Sequence, residues 1–266
     1  MFFYGKSDIG RIRKTNQDSF LTKRLANEAV LGVVCDGMGG VNGGNIASGI
    51  AVETFAAKVE DFIRRKAAAG ISETQISEGD YTALLARAVV DANHAVYSKA
   101  SASADLRGMG TTLVAALVVK NNLYIVNIGD SRLYVITDSS ITQITKDHSL
   151  VQYLLDSGKL TPAEAQNYPK KNIITRAVGI EMDIEADIFS VNLAGTRKGY
   201  ILLCSDGLTN FVKLEEISSI VTAPAASDAD IPTLLEQKAA NLINRANEAG
   251  GSDNITAVLI EYNSSN

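Results

Sequence analysis

Four aspartates lie at the ends of apolar runs that are typical of buried strands. Asp36, Asp130 and Asp206 each follow such a run directly, and Asp253 directly precedes the last one. A carboxylate at the end of a buried strand is costly to desolvate unless a positive charge meets it. Aspartates at turns usually hydrogen-bond to the local backbone, but the repeated placement favours a cation shared by several of them.

The remaining composition indicates which cation. The chain has two histidines, and its two cysteines, Cys35 and Cys204, stand far apart inside apolar runs, as expected of buried free thiols. We expect His94 to be structural, and we prefer a structural role for His148 over contact with a substrate. Oxygen ligands alone suit Mg²⁺ or Mn²⁺ and not zinc or copper. Two such ions sharing a carboxylate could activate a water and clamp a phosphate.

A glycine-rich run, GMGGVNGG at residues 37–44, follows the first of these aspartates. It has neither the spacing of a dinucleotide-binding loop nor the Gly-Lys-Ser/Thr of a Walker loop. We interpret it as a tight turn that leaves the Gly37 carbonyl open to a metal ion. The alternative is a turn with no further role.

Arg13 lies in a polar stretch shortly before Asp18. Arginines are mostly exposed, so a solvated structural arginine is one interpretation. The other is a bidentate contact with a phosphate, which the geometry of a guanidinium allows. The residues alone leave both interpretations open.

The elements that must position these residues follow from hydrophobic periodicity. Short strands are expected within residues 1–35, and a helix capped by Asp80 is expected after the first long helix. Small helices and turns should fill residues 146–179, with a capping box at 161–164, and Asn121-Asn122 should form a hairpin turn. Further strands are predicted at about 31–35, 112–119, 123–128, 132–137, 185–192, 200–205 and 254–262, and helices at about 47–66 and 232–249. The order favours an α+β fold, with sheets packed together and helices outside.

Composition limits the class of protein. The 266 residues carry a formal net charge of −5, which argues against a nucleic-acid-binding protein. No signal peptide and no apolar run of membrane-spanning length is evident, so a cytoplasmic protein is expected. One domain covering residues 1–266 is the simplest prediction.

Eight short segments resemble, in order, those of the metal-dependent protein serine/threonine phosphatases of the PP2C (PPM) family, in their compact bacterial form. They are Ser7-Asp-Ile-Gly-x-x-Arg13-x-x-Asn16-Gln-Asp18, Cys35-Asp-Gly-Met-Gly-Gly40, Gly110-Thr-Thr112, Asn127-Ile-Gly-Asp-Ser-Arg132, Asp147-His-Ser149, Thr175-Arg-Ala-x-Gly179, Leu203-Cys-Ser-Asp-Gly207 and Ser252-Asp-Asn-Ile-Thr256. Each is weak alone, but together and in register they are highly specific. The resemblance covers essentially the whole chain.

The resemblance implies a β-sandwich of two antiparallel sheets flanked by helix pairs, with two Mn²⁺ or Mg²⁺ ions at one end. A flap subdomain at about 146–176 would lie beside the active site and contribute to substrate selection. By correspondence, Asp36 would bridge both ions and the Gly37 carbonyl would bind one of them. Asp206 and Asp253 would bind the other ion, and Asp18 would act mainly through metal-bound water.

The same resemblance implies that Asp130 helps to bind a third, weaker ion and that Arg13 holds the substrate phosphate. Arg13, Asp36 and Asp206 would then be the catalytic residues. A metal-bridging water would attack phosphorus in line, without a phosphoenzyme. Met38 stands where eukaryotic members have the histidine proposed as general acid, so leaving-group protonation would fall to water.

Phosphorylated proteins, made by a serine/threonine kinase, are the implied partners of a monomeric enzyme that binds neither nucleic acid nor membrane. Two alternatives stay open at this point. One is a catalytically dead family member that serves as a phosphoprotein-binding scaffold. The other is a phosphohydrolase that acts on small molecules.

Overall fold

A computed structural model describes residues 1–166, 168–170, 172–195, 198–224 and 230–263 of the chain. In these residues two antiparallel β-sheets face each other, and helices cover both outer surfaces. The predicted α+β sandwich is confirmed.

The described residues form eleven strands in two sheets. In chain order the strands are β1 (Phe2–Asp8), β2 (Asp18–Arg24), β3 (Val30–Met38), β4 (Gly110–Thr111), β5 (Leu113–Val119), β6 (Asn122–Ile128), β7 (Arg132–Thr137), β8 (Ser140–Gln143), β9 (Asp187–Asn192), β10 (Lys198–Cys204) and β11 (Ile255–Asn263). The first sheet has the order β1-β11-β10-β7-β8, and the second has the order β2-β3-β5-β6-β9, with β4 paired to β3.

Seven α-helices lie within the described ranges. They are α1 (Gly40–Ala68), α2 (Glu78–Ser101), α3 (Leu150–Asp156), α4 (Pro162–Gln166), α5 (Asp206–Thr209), α6 (Leu214–Thr222) and α7 (Ile231–Glu248). None of these helices is long and apolar enough to cross a bilayer.

The core has three layers that follow from the alternation of side chains along the strands. On β3, Val33 and Cys35 pack among the side chains of α1 and α2, whereas Val34 between them packs between the two sheets. On the other outer surface, Ile217 of α6 and Leu242 of α7 cover the first sheet. Complete burial of such side chains stabilises the fold by about 1.5–3 kcal/mol each.

Several predicted boundaries were wrong. Helix α1 begins at Gly40, so most of the glycine-rich run is helical and not a turn. The β5–β6 hairpin turns at Lys120-Asn121, one residue earlier than predicted, and Lys120 has a φ of 52°. The strand predicted from residue 185 begins at Asp187.

Other local predictions hold. The capping box at Thr161 and Glu164 is present, because the Glu164 carboxylate accepts hydrogen bonds from the Thr161 backbone and hydroxyl at 2.8 and 2.7 Å. Both cysteines, Cys35 and Cys204, are buried free thiols. Helix α6 and strand β8 were not predicted, since each is too short to give a clear period.

Candidate metal centre

Two of the predicted acidic residues meet through strand register. Asp18, the first residue of β2, lies directly opposite Asp36 on β3. Like charges in such a cross-strand pair repel each other and destabilise the sheet. A positive charge bound near Asp18 and Asp36 would therefore stabilise this part of the sheet.

Two more aspartates come from the first sheet. Asp206 begins α5 one residue after the end of β10. Asp253 stands in the turn before β11, the neighbour of β10. Gly207 permits this close approach, because a Cβ atom at that position would lie 1.9 Å from the Asn254 carbonyl oxygen. The pairing of β10 and β11 thus brings the second pair of carboxylates together.

The carboxylates of both sheets face one cavity of about 420 Å³. Its lining includes Arg13, Asp36, Gly37, Asp130, Asp206 and Asp253. Asp18 does not line the cavity and is buried behind it, with 8% of its surface exposed. The structure therefore brings together every site residue that the sequence predicted, with Asp18 set behind the others.

Burial and mutual repulsion disfavour negative charge in this group. Burial raises the pKa of Asp18 to about 7, and the nearby Asp206 and Asp253 add to the rise. Burial, followed by the charge of Asp18, raises the pKa of Asp36 well above its usual range. Burial and then the charge of Asp206 raise the pKa of Asp130 to about 7. Such a group is stable in its charged form only with cations bound.

Hydrogen bonding leaves specific carboxylate oxygens available. Oδ2 of Asp18 accepts hydrogen bonds from the hydroxyls of Ser205 at 2.8 Å and Thr256 at 2.6 Å, whereas its buried Oδ1 has no partner. Oδ2 of Asp206 accepts from Asn210 at 2.9 Å, and its buried Oδ1 also has no partner. Buried polar atoms normally have partners, so these oxygens fit a bound cation.

The acids alone do not enclose an ion. Among the described residues, no three His, Cys, Asp or Glu side chains are grouped closely enough to hold a metal. Mg²⁺ takes few carboxylates and keeps several waters, so an open, all-oxygen site of this kind suits it. The donor set fits hard cations that also use a backbone carbonyl and water.

Hydroxyl groups hold the backbone of Asp36 in place. The Thr112 hydroxyl accepts a hydrogen bond from the Asp36 amide at 2.9 Å, and the Thr111 hydroxyl donates to the Asp36 carbonyl at 2.9 Å. The Ser131 hydroxyl lies 2.7 Å from that of Thr112. Sequence reasoning gave these residues no role, although Gly110-Thr-Thr112 was among the segments behind the resemblance.

Gly37 needs to be glycine for reasons of space. A Cβ atom at Gly37 would lie 2.1 Å from the Gly44 carbonyl oxygen, and one at Gly44 would lie 2.7 Å from the Gly37 carbonyl oxygen. The glycines therefore let β3 and α1 approach each other closely. This contact corrects the interpretation of residues 37–44 as a tight turn.

Arg13 lies at an exposed edge of the cavity. Its Nη2 is 2.8 Å from Oδ2 of Asp253, and about half of its side chain is exposed. The hydrogen bond that Arg13 donates to Asp253 raises the pKa of Arg13. The arginine thus carries a fixed positive charge beside the carboxylates.

The flap borders the cavity through Asn172 and Ile174. At its base, Nδ1 of buried His148 accepts a hydrogen bond from the Gly129 amide at 3.2 Å, and Nε2 lies 3.1 Å from Oδ2 of Asp187. His148 therefore ties the flap to the sheet, which agrees with the expected structural role. Residues 167 and 171 of the flap lie outside the described residues.

Comparison with known sequences matches residues 9–242 to the protein phosphatase 2C family. The serine/threonine phosphatase Stp of Listeria welshimeri is 37% identical over 97% of this chain and 94% of its own length. The protein phosphatase PhpP of Streptococcus pneumoniae is 38% identical over 97% of this chain and 96% of its own length.

A solved structure has the same fold. The catalytic domain of the serine/threonine protein phosphatase PstP, in complex with two manganese ions, superimposes with a TM-score of 0.78. The two chains are 33% identical, and the match covers 97% of this chain and 96% of the other. The manganese ions of that relative accord with the carboxylate cluster described above.

Proposed function

The chain belongs to the protein phosphatase 2C family, and we propose that it hydrolyses phosphoserine and phosphothreonine in proteins with two Mn²⁺ or Mg²⁺ ions as cofactors. The related sequences are named serine/threonine phosphatases, and this chain is an enzyme of that class. One observation carries the proposal: buried carboxylates from two sheets meet at a cavity that has an arginine at its edge.

We assign the ions to the aspartates that line the cavity and to the Gly37 carbonyl. Asp36 would be shared by both ions, the Gly37 carbonyl would bind one, and Asp206 and Asp253 would bind the other. Asp18 would act through water from its position behind the cavity. The bound ions would supply the Lewis acidity that promotes attack of water on phosphorus. Asp130 would contribute to a third, weaker site.

Arg13 is suited to bind and orient the phosphate. Nη2 of Arg13 donates a hydrogen bond to the carboxylate of Asp253, and its other side-chain nitrogens have no partner among the described residues. Its other nitrogens can therefore donate to phosphate oxygens, and guanidinium geometry favours a bidentate contact. Arg13 would offset negative charge on the phosphoryl group as it transfers.

The residues around the cavity also limit proton transfer. Met38 lines the cavity and has no proton to donate, and no described histidine is among the lining residues. His148 is buried and already bonded to Gly129. We therefore assign protonation of the leaving group to water.

The scaffold alternative is disfavoured, because Asp36, Asp206 and Asp253 are all present and the related sequences are named as phosphatases. A small-molecule phosphohydrolase is disfavoured on the same comparison. The proposal includes a cytoplasmic monomer that acts on the products of a serine/threonine kinase. The net charge of −5 supports a partner other than nucleic acid.

The test is phosphate release from phosphothreonine peptides with Mn²⁺, with EDTA, and with Asp206→Asn. Turnover should require Mn²⁺ and should fall to background in EDTA and in Asp206→Asn. Asp138→Asn is a matched control, because Asp138 is exposed in the β7–β8 turn. Activity that persists in EDTA or in Asp206→Asn contradicts the dinuclear mechanism.

A further inference from the structure

A second cavity, of about 610 Å³, opens beside the metal centre. We call it the side pocket. Its lining includes Met38, Ile174, Ile180, Glu181, Asp183 and Ile184. The lining thus combines apolar side chains with acidic ones.

The side pocket is continuous with the metal centre. Met38 and Ile174 line both cavities, so the two share a wall. Met38 directly follows Gly37 on β3. A chain whose phosphorylated residue occupied the metal centre would place its neighbouring residues at this wall.

Buried hydrogen bonds fix the loop that forms the pocket rim. Asn93 of α2 is fully buried, and its Nδ2 donates to the carbonyls of Glu181 and Met182 at 3.0 and 2.9 Å. Its Oδ1 accepts a hydrogen bond from the Gly179 amide at 2.7 Å. The loop nevertheless exposes 43% of Ile180 and 64% of Met182. These apolar side chains are therefore presented to solvent by a rigid loop.

The same wall is attached to the strand that supports the metal centre. Val178 and Thr111 exchange two backbone hydrogen bonds, of 3.0 and 2.8 Å, and the Thr111 hydroxyl donates to the Asp36 carbonyl. Ile180 packs on Gly110, where its Cδ1 lies 2.7 Å from the position that a Cβ atom would take. The distance between pocket and metal centre is thus fixed before any ligand binds, which reduces the entropy lost on binding.

The charges at the pocket favour a basic ligand. Its lining carries three carboxylates, Glu181, Asp183 and Glu185, against one guanidinium, Arg176, which gives a formal charge of −2. Arg176 already pairs with Glu185 at 3.5 Å and with Asp187 at 3.2 Å. Glu181 and Asp183 make no ion pair with any described residue.

We propose that the side pocket is a subsite for the residues flanking the phosphorylated residue, and that it selects an apolar side chain accompanied by lysine or arginine. The apolar side chain would pack against Ile174, Ile180 and Ile184, and the basic one would face Glu181 and Asp183. This inference rests on the proposed function and adds a substrate class to it. Apolar burial supplies affinity, and the opposed charges supply selectivity.

The test compares phosphothreonine peptides of equal length that differ in their flanking residues. One set carries leucine and arginine on both sides, a second carries leucine and glutamate, and a third carries serine and arginine. The readout is kcat/KM with Mn²⁺, and para-nitrophenyl phosphate serves as a substrate without flanking residues. We expect the leucine and arginine peptide to exceed the glutamate peptide roughly tenfold, because several exposed charges act together.

Variants connect this preference to the pocket. The double variant Glu181→Lys/Asp183→Lys should reverse the order of the arginine and glutamate peptides and leave para-nitrophenyl phosphate hydrolysis unchanged. Ile180→Ser should reduce the advantage of leucine over serine. Glu53→Lys/Glu248→Lys is the matched control, since both glutamates are exposed and line neither cavity. This control should keep the wild-type order of peptides.

Equal kcat/KM for all peptides, with Mn²⁺-dependent hydrolysis of para-nitrophenyl phosphate intact, overturns the subsite and leaves the proposed function standing. If both double variants reverse the preference equally, the preference reflects the overall charge of the protein. That outcome also overturns the subsite. Absence of Mn²⁺-dependent hydrolysis of every phosphoester overturns the proposed function together with the subsite.

Discussion

The Thr256 hydroxyl of one sheet donates a hydrogen bond of 2.6 Å to Oδ2 of Asp18 on the other sheet. The Ser205 hydroxyl donates to the same oxygen at 2.8 Å. Together these bonds fix the carboxylate and leave its Oδ1 without a partner, so Oδ1 would be the oxygen that contacts the metal-bound water in our proposal. Thr256 and Ser205 are therefore positioning residues for Asp18.

Thr256→Val should weaken Mn²⁺ binding, because valine keeps the shape of threonine and removes the donor. Loss of an outer hydrogen bond to a metal site typically lowers affinity about 10- to 100-fold. Isothermal titration calorimetry with Mn²⁺ measures this change without reference to activity. Thr142→Val, at an exposed position of β8, is the control. Unchanged affinity in Thr256→Val would contradict the positioning role.

Arg13→Ala should raise KM for phosphopeptides and leave the Mn²⁺ affinity within about threefold of the wild type, if the arginine binds phosphate. Steady-state kinetics and metal calorimetry separate the two effects. Arg11→Ala serves as the control, since Arg11 is exposed and absent from the cavity lining. A large loss of metal affinity would instead assign Arg13 to holding Asp253 in place.

Asn93→Ala should destabilise the protein by about 2–4 kcal/mol, because it removes three hydrogen bonds and leaves the buried Gly179 amide without a partner. Urea denaturation at saturating Mn²⁺ measures the free energy of unfolding. His94→Ala, one residue along the same helix and exposed, should change that free energy by less than about 0.5 kcal/mol. Equal effects of the two substitutions would show that the loop of residues 179–182 does not depend on Asn93.

The metal-free protein should become less stable as the pH rises. Burial raises the pKa of Asp18 and of Asp130 to about 7, whereas both groups lose their protons near pH 4 in the unfolded chain. Between about pH 4 and 7 the folded state therefore binds more protons than the unfolded state, and the free energy of unfolding falls with increasing pH. Above that range the stability that these two groups contribute is fully lost.

Thermal unfolding in EDTA should accordingly give a higher Tm at about pH 5.5 than at about pH 8. Asp130→Asn should reduce this difference, because it removes one of the titrating groups. Saturating Mn²⁺ should also reduce it, since bound ions favour the charged carboxylates. A metal-free protein with the higher Tm at about pH 8 would rule out the stated protonation of the cluster.

The strand ends beside Asp130, Asp206 and Asp253 could be predicted from sequence, because each is a local change from apolar to polar residues. The strand end predicted before Asp36 was wrong, since β3 continues through Asp36 to Met38. The register that sets Asp18 opposite Asp36 could not, since cross-strand pairing depends on contacts between distant segments. The start of α1 was missed because glycine disfavours helices, and here the close contact between Gly37 and Gly44 overrides that preference.

The candidate site, like the fold, could be predicted only in part from the sequence. The aspartates and Arg13 were identified from the motifs that contain them. Their hydroxyl partners were not, because serine and threonine are common and their roles depend on which strand they face. The side pocket was also beyond prediction, since Met38 and Ile180 meet only through the pairing of β3, β4 and the loop after the flap.

The two halves of the carboxylate cluster belong to different sheets and to opposite ends of the polypeptide, Asp18 and Asp36 near its start and Asp206 and Asp253 near its finish. Ions bound among them would close most of the chain into one long loop, as a cross-link does. Such a closure restricts the unfolded chain and opposes separation of the sheets at this end. Supply of metal would then govern resistance to proteolysis as well as turnover, so that an enzyme deprived of its ions would also be the copy most readily degraded.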